Sequence, residues 1–215
     1  MTRPPPPLEK GRGATITPQN RFEHHQRVAV DDGWNEQPDE DESERAPLKT
    51  TVTIQLSRSI LTRNKSPDIP FDQSLNPYQG CEHGCVYCYA RPSHAYLDLS
   101  PGLDFESKLF AKPNAAALLR AELAQPGYVC TPIALGGNTD CYQPIERDYK
   151  ITRSILEVLN EFNHSVGMVT KSALVERDID ILSEMAKKNL VRVYFSVTTL
   201  DKEKKKKMEP RAATP

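Results

Sequence analysis

Three cysteines lie within eight residues, at Cys81, Cys85 and Cys88, and their spacing constrains the fold of this chain more than any other feature. The C-x3-C-x2-C loop has an aromatic residue, Tyr87, directly before its last cysteine. Three thiolates on one loop can bind three irons of a cubane iron–sulfur cluster, which leaves the fourth iron open to a small molecule. The loop therefore predicts chemistry at an open iron rather than a purely structural metal site.

Zinc is the alternative occupant of these cysteines. A structural zinc site closes with four protein ligands, and His83, His94 or Cys141 could supply the fourth. Such a site would make the chain a non-catalytic zinc- or iron–sulfur-binding module. The spacing of the cysteines alone leaves both metals open.

Along the rest of the chain, apolar strand-like segments alternate with amphipathic helical segments. Strands are predicted at residues 50–56, 107–111, 131–135, 166–169 and 191–197, and helices at residues 115–124, 149–162, 177–188 and 201–208. This alternation predicts βαβ units around a parallel sheet. The spacing fits an open (β/α) barrel, whose functional site lies at the carboxyl ends of the strands. Four residues are expected near that rim: Cys81, Gly136, Lys171 and Thr198.

Further motifs surround the cysteines and follow them along the chain. They are Asn-Pro-Tyr-Gln-Gly at 76–80, Tyr-Ala-Arg-Pro-Ser-His-Ala-Tyr at 89–96, Leu-Gly-Gly-Asn-Thr-Asp-Cys-Tyr-Gln-Pro-Ile-Glu at 135–146 and Val-Thr-Lys-Ser at 169–172. With the cysteine loop, these motifs make residues 48–215 resemble the radical S-adenosylmethionine (radical SAM) superfamily. The resemblance is to an uncharacterised bacterial group related to spore photoproduct lyase. The link to the lyase itself rests on Cys-x-Tyr-Cys-Tyr and Thr-Lys-Ser.

The resemblance implies both a fold and an activity. The fold would be α/β, a partial (β/α) barrel of the radical SAM type. This barrel would stop after about four βα units, and the chain would be the front part of a longer enzyme. A 4Fe–4S cluster, reduced by an electron donor such as flavodoxin or ferredoxin, would split S-adenosyl-L-methionine into methionine and a 5′-deoxyadenosyl radical. The radical would abstract hydrogen from a substrate that the sequence does not identify. A DNA lesion is the first candidate, and radical modification of a protein, RNA or metabolite is the alternative.

The resemblance also implies which residues bind S-adenosylmethionine. The cysteines would hold the cluster, and Tyr87 would pack beside the adenine. Lys171 would contact the carboxylate of the ligand, and Ser196 its ribose hydroxyls. The methionyl amino group would lie at the end of the second repeating strand, which carries these four residues: Gly136, Gly137, Asn138 and Thr139. Burial or solvation without ligand contact is the alternative for each of these residues.

Two residues are candidates for moving the hydrogen atom. Tyr89 matches a tyrosine that the lyase places near the radical, although packing alone would also explain it. The lyase carries a hydrogen-donating cysteine on the corresponding strand end, where this chain has Gly137. Cys141 lies four residues later and could take that role only if the loop curls inward.

The first 47 residues differ from the rest in composition. Four prolines at residues 4–7 and a dense acidic run at residues 31–44 leave little apolar surface to bury. Residues 1–47 are therefore predicted to form a disordered Pro-rich and acidic tail. Residues 48–215 would form the N-terminal part of the radical SAM domain.

Composition and charge also limit the partners and the compartment. The formal net charge is −1, so no overall field favours a polyanion. One basic cluster, Lys202 with residues 204–207, could contact nucleic-acid phosphates or lie on the solvated face of a short helix. No apolar run is long enough to span a bilayer, so no membrane partner is expected. The five cysteines do not form a disulfide pattern, and a thiolate-bound cluster needs reducing surroundings, so a cytoplasmic location is expected.

Overall fold

The computed structural model describes residues 11–23 and 48–214, in which the strands form two sheets. The strands are β1 (Thr51–Ile54), β2 (Leu61–Arg63), β3 (Gln73–Leu75), β4 (Tyr78–Gln79), β5 (Lys108–Ala111), β6 (Ile133–Leu135), β7 (Val166–Thr170) and β8 (Val191–Phe195). The α-helices are α1 (Leu103–Ser107), α2 (Ala115–Leu123), α3 (Glu146–Tyr149), α4 (Ile151–Glu161), α5 (Ile179–Lys187) and α6 (Lys202–Met208). Short 3-10 helices lie at Arg91–Leu97 and Ala173–Asp178.

The larger sheet has the strand order β2-β3-β6-β7-β8. Strands β3, β6, β7 and β8 are parallel, and β2 pairs with β3 in the antiparallel direction. The register aligns Leu75 with Leu135 and Leu135 with Met168, so the carboxyl ends of these strands meet at one edge. The smaller sheet has the order β1-β5-β4. The parallel strands and their helices form the partial (β/α) barrel that the sequence predicts.

Helix α4 illustrates how the sequence produces the core of this barrel. Its apolar residues recur every three or four positions, at Ile151, Ile155, Val158 and Leu159, which places them on one helix face. All four are buried in one core cluster with the apolar side chains of β6. Truncating a side chain such as Ile155 to alanine would cost about 2–5 kcal/mol, so this face holds the helix against the sheet.

A buried ion network joins the residues that follow β6 to the helices. The Glu146 carboxylate is fully buried and accepts a hydrogen bond of 2.6 Å from Arg177 Nη2. Asp178 accepts from Tyr142 Oη at 3.0 Å and from Arg153 Nη1 at 3.0 Å. Burial alone would raise the pKa of Asp178, but the two arginines hold that pKa below its usual value. The carboxylate is therefore charged at neutral pH and fixes the start of α5.

The predicted strands and helices are present, and their ends shift by one or two residues. The short extended piece that the sequence predicts directly before Cys81 is β4, whereas the sequence analysis misses the short helices α1 and α3 and the short strands β2 and β3. Strand β3 is the most consequential, because it is the first parallel strand of the larger sheet and leads toward the cysteine loop. It lies in a segment rich in proline, with Pro67, Pro70 and Pro77 nearby, which hides its extended pattern. In the described residues, no helix combines the length and apolar character that crossing a membrane requires.

Part of the predicted disordered tail is ordered in the structure. Residues 11–23 lie against the folded domain, and Arg12 and Asn20 are only 6% and 5% exposed. Arg12 Nη1 donates to the Glu106 carbonyl oxygen at 2.6 Å, and Asn20 Nδ2 donates to the Ala95 carbonyl oxygen at 2.9 Å. Composition did not reveal this contact because it relies on hydrogen bonds and not on buried apolar surface. The rest of the predicted tail, residues 1–10 and 24–47, lies outside the described residues.

Candidate active site

The cysteine loop and the carboxyl ends of the parallel strands line one cavity of about 1200 Å³. The lining includes the residue that directly follows each of β3, β6, β7 and β8: Asn76, Gly136, Lys171 and Ser196. All three cysteines of the loop face the same cavity. The structure therefore brings the cysteines and the strand ends together at the rim where a (β/α) barrel places its site.

Backbone and side-chain hydrogen bonds hold the cysteine loop in one shape. The Cys81 N–H donates to the Phe105 carbonyl oxygen at 2.9 Å. The side chain of Gln143 is fully buried and spans the start of the loop. Its Oε1 accepts from the Glu82 N–H at 3.0 Å, and its Nε2 donates to the Gly80 carbonyl oxygen at 3.0 Å. Both polar groups of the amide are thus satisfied, and they hold the start of the loop in place.

The donor set of the loop fits a 4Fe–4S cluster. Cys81, Cys85 and Cys88 are free thiols that are buried or half-buried. Within residues 11–23 and 48–214, no three His, Cys, Asp or Glu side chains stand close enough to share a single metal ion. A cubane cluster does not need that convergence, because each cysteine binds a different iron. Burial and the negative charge of Cys81 raise the pKa of Cys85 to about 12, so cluster binding must release protons from the loop.

Asp140 ties the cysteine loop to the ends of β6 and β7. Its carboxylate accepts from Thr170 Oγ1 at 2.7 Å and from the Lys171 N–H at 2.8 Å. His83 Nδ1 lies 3.3 Å from Asp140 Oδ2. Burial alone would raise the pKa of Asp140, but His83 and the two hydrogen bonds keep it below its usual value. A charged Asp140 therefore fixes the position of the loop relative to the strand ends.

A second polar cluster contains three of the residues predicted to bind S-adenosylmethionine. Lys171 Nζ donates to Ser196 Oγ at 2.7 Å and lies 5.6 Å from the centre of the Tyr87 ring. Lys171 Nζ is also 2.8 Å from Glu209 Oε1, which accepts from Thr198 Oγ1 at 2.6 Å and from Tyr87 Oη. The structure thus brings Tyr87, Lys171 and Ser196 to one side of the cavity. It adds Glu209 as the counter-charge of the lysine.

The end of β6 contributes backbone groups to the cavity. Gly136 has φ +79°, and a Cβ atom there would lie 2.9 Å from the Thr139 carbonyl oxygen. Gly136, Gly137 and Asn138 line the cavity, and Tyr89 Oη donates to the Gly137 carbonyl oxygen. The Thr139 hydroxyl is 3.1 Å from a backbone carbonyl oxygen and donates to it, so it is already used within the protein. All four predicted residues therefore line the cavity, and Thr139 is the one whose side chain is already engaged by the protein.

Two residues proposed from the sequence lie away from the cavity. Cys141 is fully buried in the core, and its carbonyl oxygen accepts from Thr152 Oγ1 at 2.6 Å. Residues 136–140 line the cavity, but Cys141 lies outside the lining, so its thiol is not placed as a hydrogen donor. His94 packs against Phe105, with ring centroids 5.2 Å apart, and its Nε2 lies 2.9 Å from a backbone carbonyl oxygen. Neither residue is placed to complete a zinc site.

The sequence analysis missed two residues that shape this site. Gln143 lies within the motif at 135–146, but its role depends on a loop about 60 positions earlier, which no local pattern indicates. Glu209 follows a run of charged residues, where a solvated carboxylate is the usual expectation. In the structure Glu209 is only 4% exposed.

A family model and several proteins match this chain. The model, described as the radical SAM superfamily, matches residues 75–215. An uncharacterised protein of Mycobacterium tuberculosis (strain ATCC 25618 / H37Rv) is 38% identical over 178 residues, which cover 80% of this chain and 52% of that protein. An uncharacterised protein of Methanocaldococcus jannaschii is 29% identical over 136 residues, which cover 63% of this chain and 48% of that protein. The chain thus spans about half the length of the curated relatives it matches.

The fold is also similar to that of solved structures. Spore photoproduct lyase complexed with dinucleoside spore photoproduct superposes with a TM-score of 0.53 and 14% sequence identity. The match covers 76% of this chain and 44% of that chain. At this level of identity, the similarity concerns the fold.

Proposed function

The chain belongs to the radical SAM superfamily, and from this premise we propose that it binds a 4Fe–4S cluster and S-adenosylmethionine in its cavity to abstract hydrogen from a substrate. One observation carries the proposal. Three free cysteines face the same cavity as Lys171 and Ser196, which lie at the ends of neighbouring strands. A structural metal site would not need strand-end polar groups beside its thiols.

The residues of this chain would each have a distinct task in that reaction. Cys81, Cys85 and Cys88 would hold the cluster and leave one iron for the ligand. When bound, the cluster supplies the electron that cleaves S-adenosylmethionine. Gln143 and the contact between His83 and Asp140 would hold the cysteine loop around the cluster.

The strand ends would orient S-adenosylmethionine against the cluster. The Lys171 ammonium would bind the carboxylate of the ligand, because a hydrogen bond between opposite charges is stronger than a neutral one. Ser196, whose Oγ lies 2.7 Å from Lys171 Nζ, would accept a hydrogen bond from a ribose hydroxyl or donate one to it. Tyr87 would cover the adenine, and Tyr89 would stand at the Gly137 carbonyl oxygen, where it could exclude water or relay hydrogen.

We propose a DNA lesion as the first substrate to test. The support is the likeness of the fold to a lyase whose solved structure holds a dinucleoside spore photoproduct. The basic cluster of α6 adds little support, because Lys205 is buried and Lys206 pairs with Glu203 at 3.0 Å. Radical modification of a protein, RNA or metabolite is the competing outcome of the same assay. A cytoplasmic location with a flavodoxin or ferredoxin as electron donor accords with the reducing surroundings that such a cluster needs.

The test is anaerobic reconstitution with iron and sulfide, followed by reduction and addition of S-adenosylmethionine. We expect four irons and four sulfides per chain and the formation of 5′-deoxyadenosine. Alanine at Cys81, Cys85 or Cys88 should abolish both results. Cys130→Ala is the matched control, because this thiol is exposed and outside the cavity lining, and it should leave both unchanged. A colourless protein that retains zinc at the three cysteines, or an intact cluster that yields no 5′-deoxyadenosine, would contradict the proposal.

A further inference from the structure

Residues 11–20, here called the strap, lie outside the cavity lining and contact the cysteine loop at one end. The strap touches the loop at Gly13, where a Cβ atom would stand 1.7 Å from the Gly84 carbonyl oxygen. Gly84 has φ +66°, and a Cβ atom there would stand 3.2 Å from the Gly13 nitrogen. The two backbones therefore meet without side chains between them. Gly84 directly precedes Cys85, so the strap contacts the loop beside its second cysteine.

A single buried carboxylate fastens the strap to the loop. Glu106 is fully buried and lies at the end of α1. Its Oε2 accepts from the Gly13 N–H at 2.9 Å, and its Oε1 accepts from the Ala14 N–H at 2.8 Å. Arg91 Nη2 donates to the same Oε1 at 2.5 Å and to the Cys85 carbonyl oxygen at 2.8 Å. The carboxylate thus links two backbone groups of the strap to a cysteine that faces the cavity.

The strap is also attached at its far end. Ser100 Oγ donates to the Pro18 carbonyl oxygen at 2.5 Å. A Cβ atom at Gly102 would stand 2.1 Å from the Ile16 carbonyl oxygen, so this contact is also between backbones. The strap therefore lies along the folded domain over its whole length, although its composition is that of a solvated tail.

We propose that the strap, fastened by Glu106, is a positioning element that holds the cysteine loop in its cluster-binding shape. The inference rests on the proposed function, because it concerns retention of the cluster. Without the strap, the back of the loop would face water, and the Glu106 carboxylate would lose two of its backbone donors. The Arg91 guanidinium would then be free to leave the Cys85 carbonyl group. Each of these changes lets the thiols move and exposes the irons to competing ligands.

Three variants test the role of the strap. Gly13→Ala places a methyl group on the Gly84 carbonyl group and should lift the strap from the loop. Glu106→Gln keeps the side-chain shape but turns an NH₂ group toward a backbone N–H. Thr17→Ala is the matched control, because this strap residue is exposed and should change nothing.

The main measurement is the rate at which an iron chelator bleaches the reconstituted cluster under anaerobic conditions. We expect Gly13→Ala and Glu106→Gln to raise this rate by at least about tenfold, since losing one hydrogen bond to a charged group corresponds to roughly that factor. The electron paramagnetic resonance spectrum of the reduced cluster should broaden as the loop samples more shapes. Trypsin should cleave after Arg12 faster in both variants than in the wild type, because the Arg12 side chain is buried against the domain when the strap is in place.

The outcomes separate this inference from the proposed function. If the wild type assembles no 4Fe–4S cluster, the proposed function fails and the inference fails with it. If the wild type holds its cluster and both folded variants bleach at the wild-type rate with an unchanged spectrum, the strap has no positioning role. If one variant does not fold by circular dichroism, the other decides. A Thr17→Ala rate as high as that of Gly13→Ala would also overturn the inference.

Discussion

Replacing Lys171 with methionine separates its predicted contact with S-adenosylmethionine from its contact with Glu209. Lys171→Met keeps most of the length of the unbranched side chain and removes its charge. The Lys171 side chain is 15% exposed and that of Glu209 only 5%, so the pair is largely shielded from water. A hydrogen bond between charged groups contributes about 1.5–3 kcal/mol, and its loss should weaken S-adenosylmethionine binding roughly 10- to 150-fold.

The same substitution should destabilise the fold. It leaves the Glu209 carboxylate nearly buried without a cation, which costs about 3 kcal/mol, the lower end for a buried pair because the lysine is partly exposed. In a chain of this size, that loss corresponds to a fall in melting temperature of roughly 6–12 °C. Lys171→Met combined with Glu209→Gln removes the unpaired charge and should recover most of that fall.

Anaerobic calorimetry of S-adenosylmethionine binding to the cluster-loaded variants checks the argument. The double variant should be stable but should still bind the ligand weakly. Glu209→Gln alone should bind it at least as tightly as the wild type, because Lys171 keeps its charge and loses its competing carboxylate. Wild-type affinity in the stable double variant would refute the role of Lys171 as the carboxylate ligand.

Three further predictions address the strand end, the core and the ion network. Gly136→Ala should weaken S-adenosylmethionine binding, since its Cβ atom would stand 2.9 Å from the Thr139 carbonyl oxygen. Gly127 provides the control, because it has a similar positive φ but a Cβ atom there would have no other atom within 4 Å. If Gly127→Ala weakened binding as much as Gly136→Ala, the close contact at Gly136 would not be the cause. Cys141→Ser should lower stability by about 1–3 kcal/mol in chemical denaturation, because it buries a hydroxyl, while 5′-deoxyadenosine formation per folded chain is unchanged. Because the pKa of Asp178 is lowered in the fold, its stabilisation is present above the usual carboxyl pKa and is lost as the pH falls through the lowered value. The difference in melting temperature between wild type and Asp178→Asn should therefore shrink between pH 7 and pH 3.

The repeating strands and helices could be predicted from the sequence because each carries its own periodic pattern. Helix α4 shows apolar residues at helical spacing, and β7 is a continuous run bounded by polar residues. Strand β3 has only three residues, Gln73–Leu75, and its glutamine is buried, so neither length nor alternation marks it. Its strand conformation depends on pairing with β6, which lies about 60 residues later.

The candidate site could be predicted only where a single side chain or one short motif indicates the chemistry by itself. The thiols of the cysteine loop and the ammonium of Lys171 have few other uses at a strand end, and the structure places them on one cavity. Cys141 is buried in the core instead, because the direction of its side chain depends on how residues 136–141 fold. Residue type cannot indicate that direction, since a cysteine is equally suited to a core.

The cysteine motif identifies the ligands, but distant segments set their geometry. Glu82 is held from one side by Gln143 and from another by Arg211, whose Nη1 donates to Glu82 Oε1 at 2.7 Å. The Arg211 N–H also donates to the His83 carbonyl oxygen at 3.3 Å. With the contact at Gly13, these segments span nearly the whole described chain, so the loop can hold its shape only when they are folded around it. A short motif of this kind therefore depends on the entire domain for its geometry, which explains why its supporting residues carry no local signature.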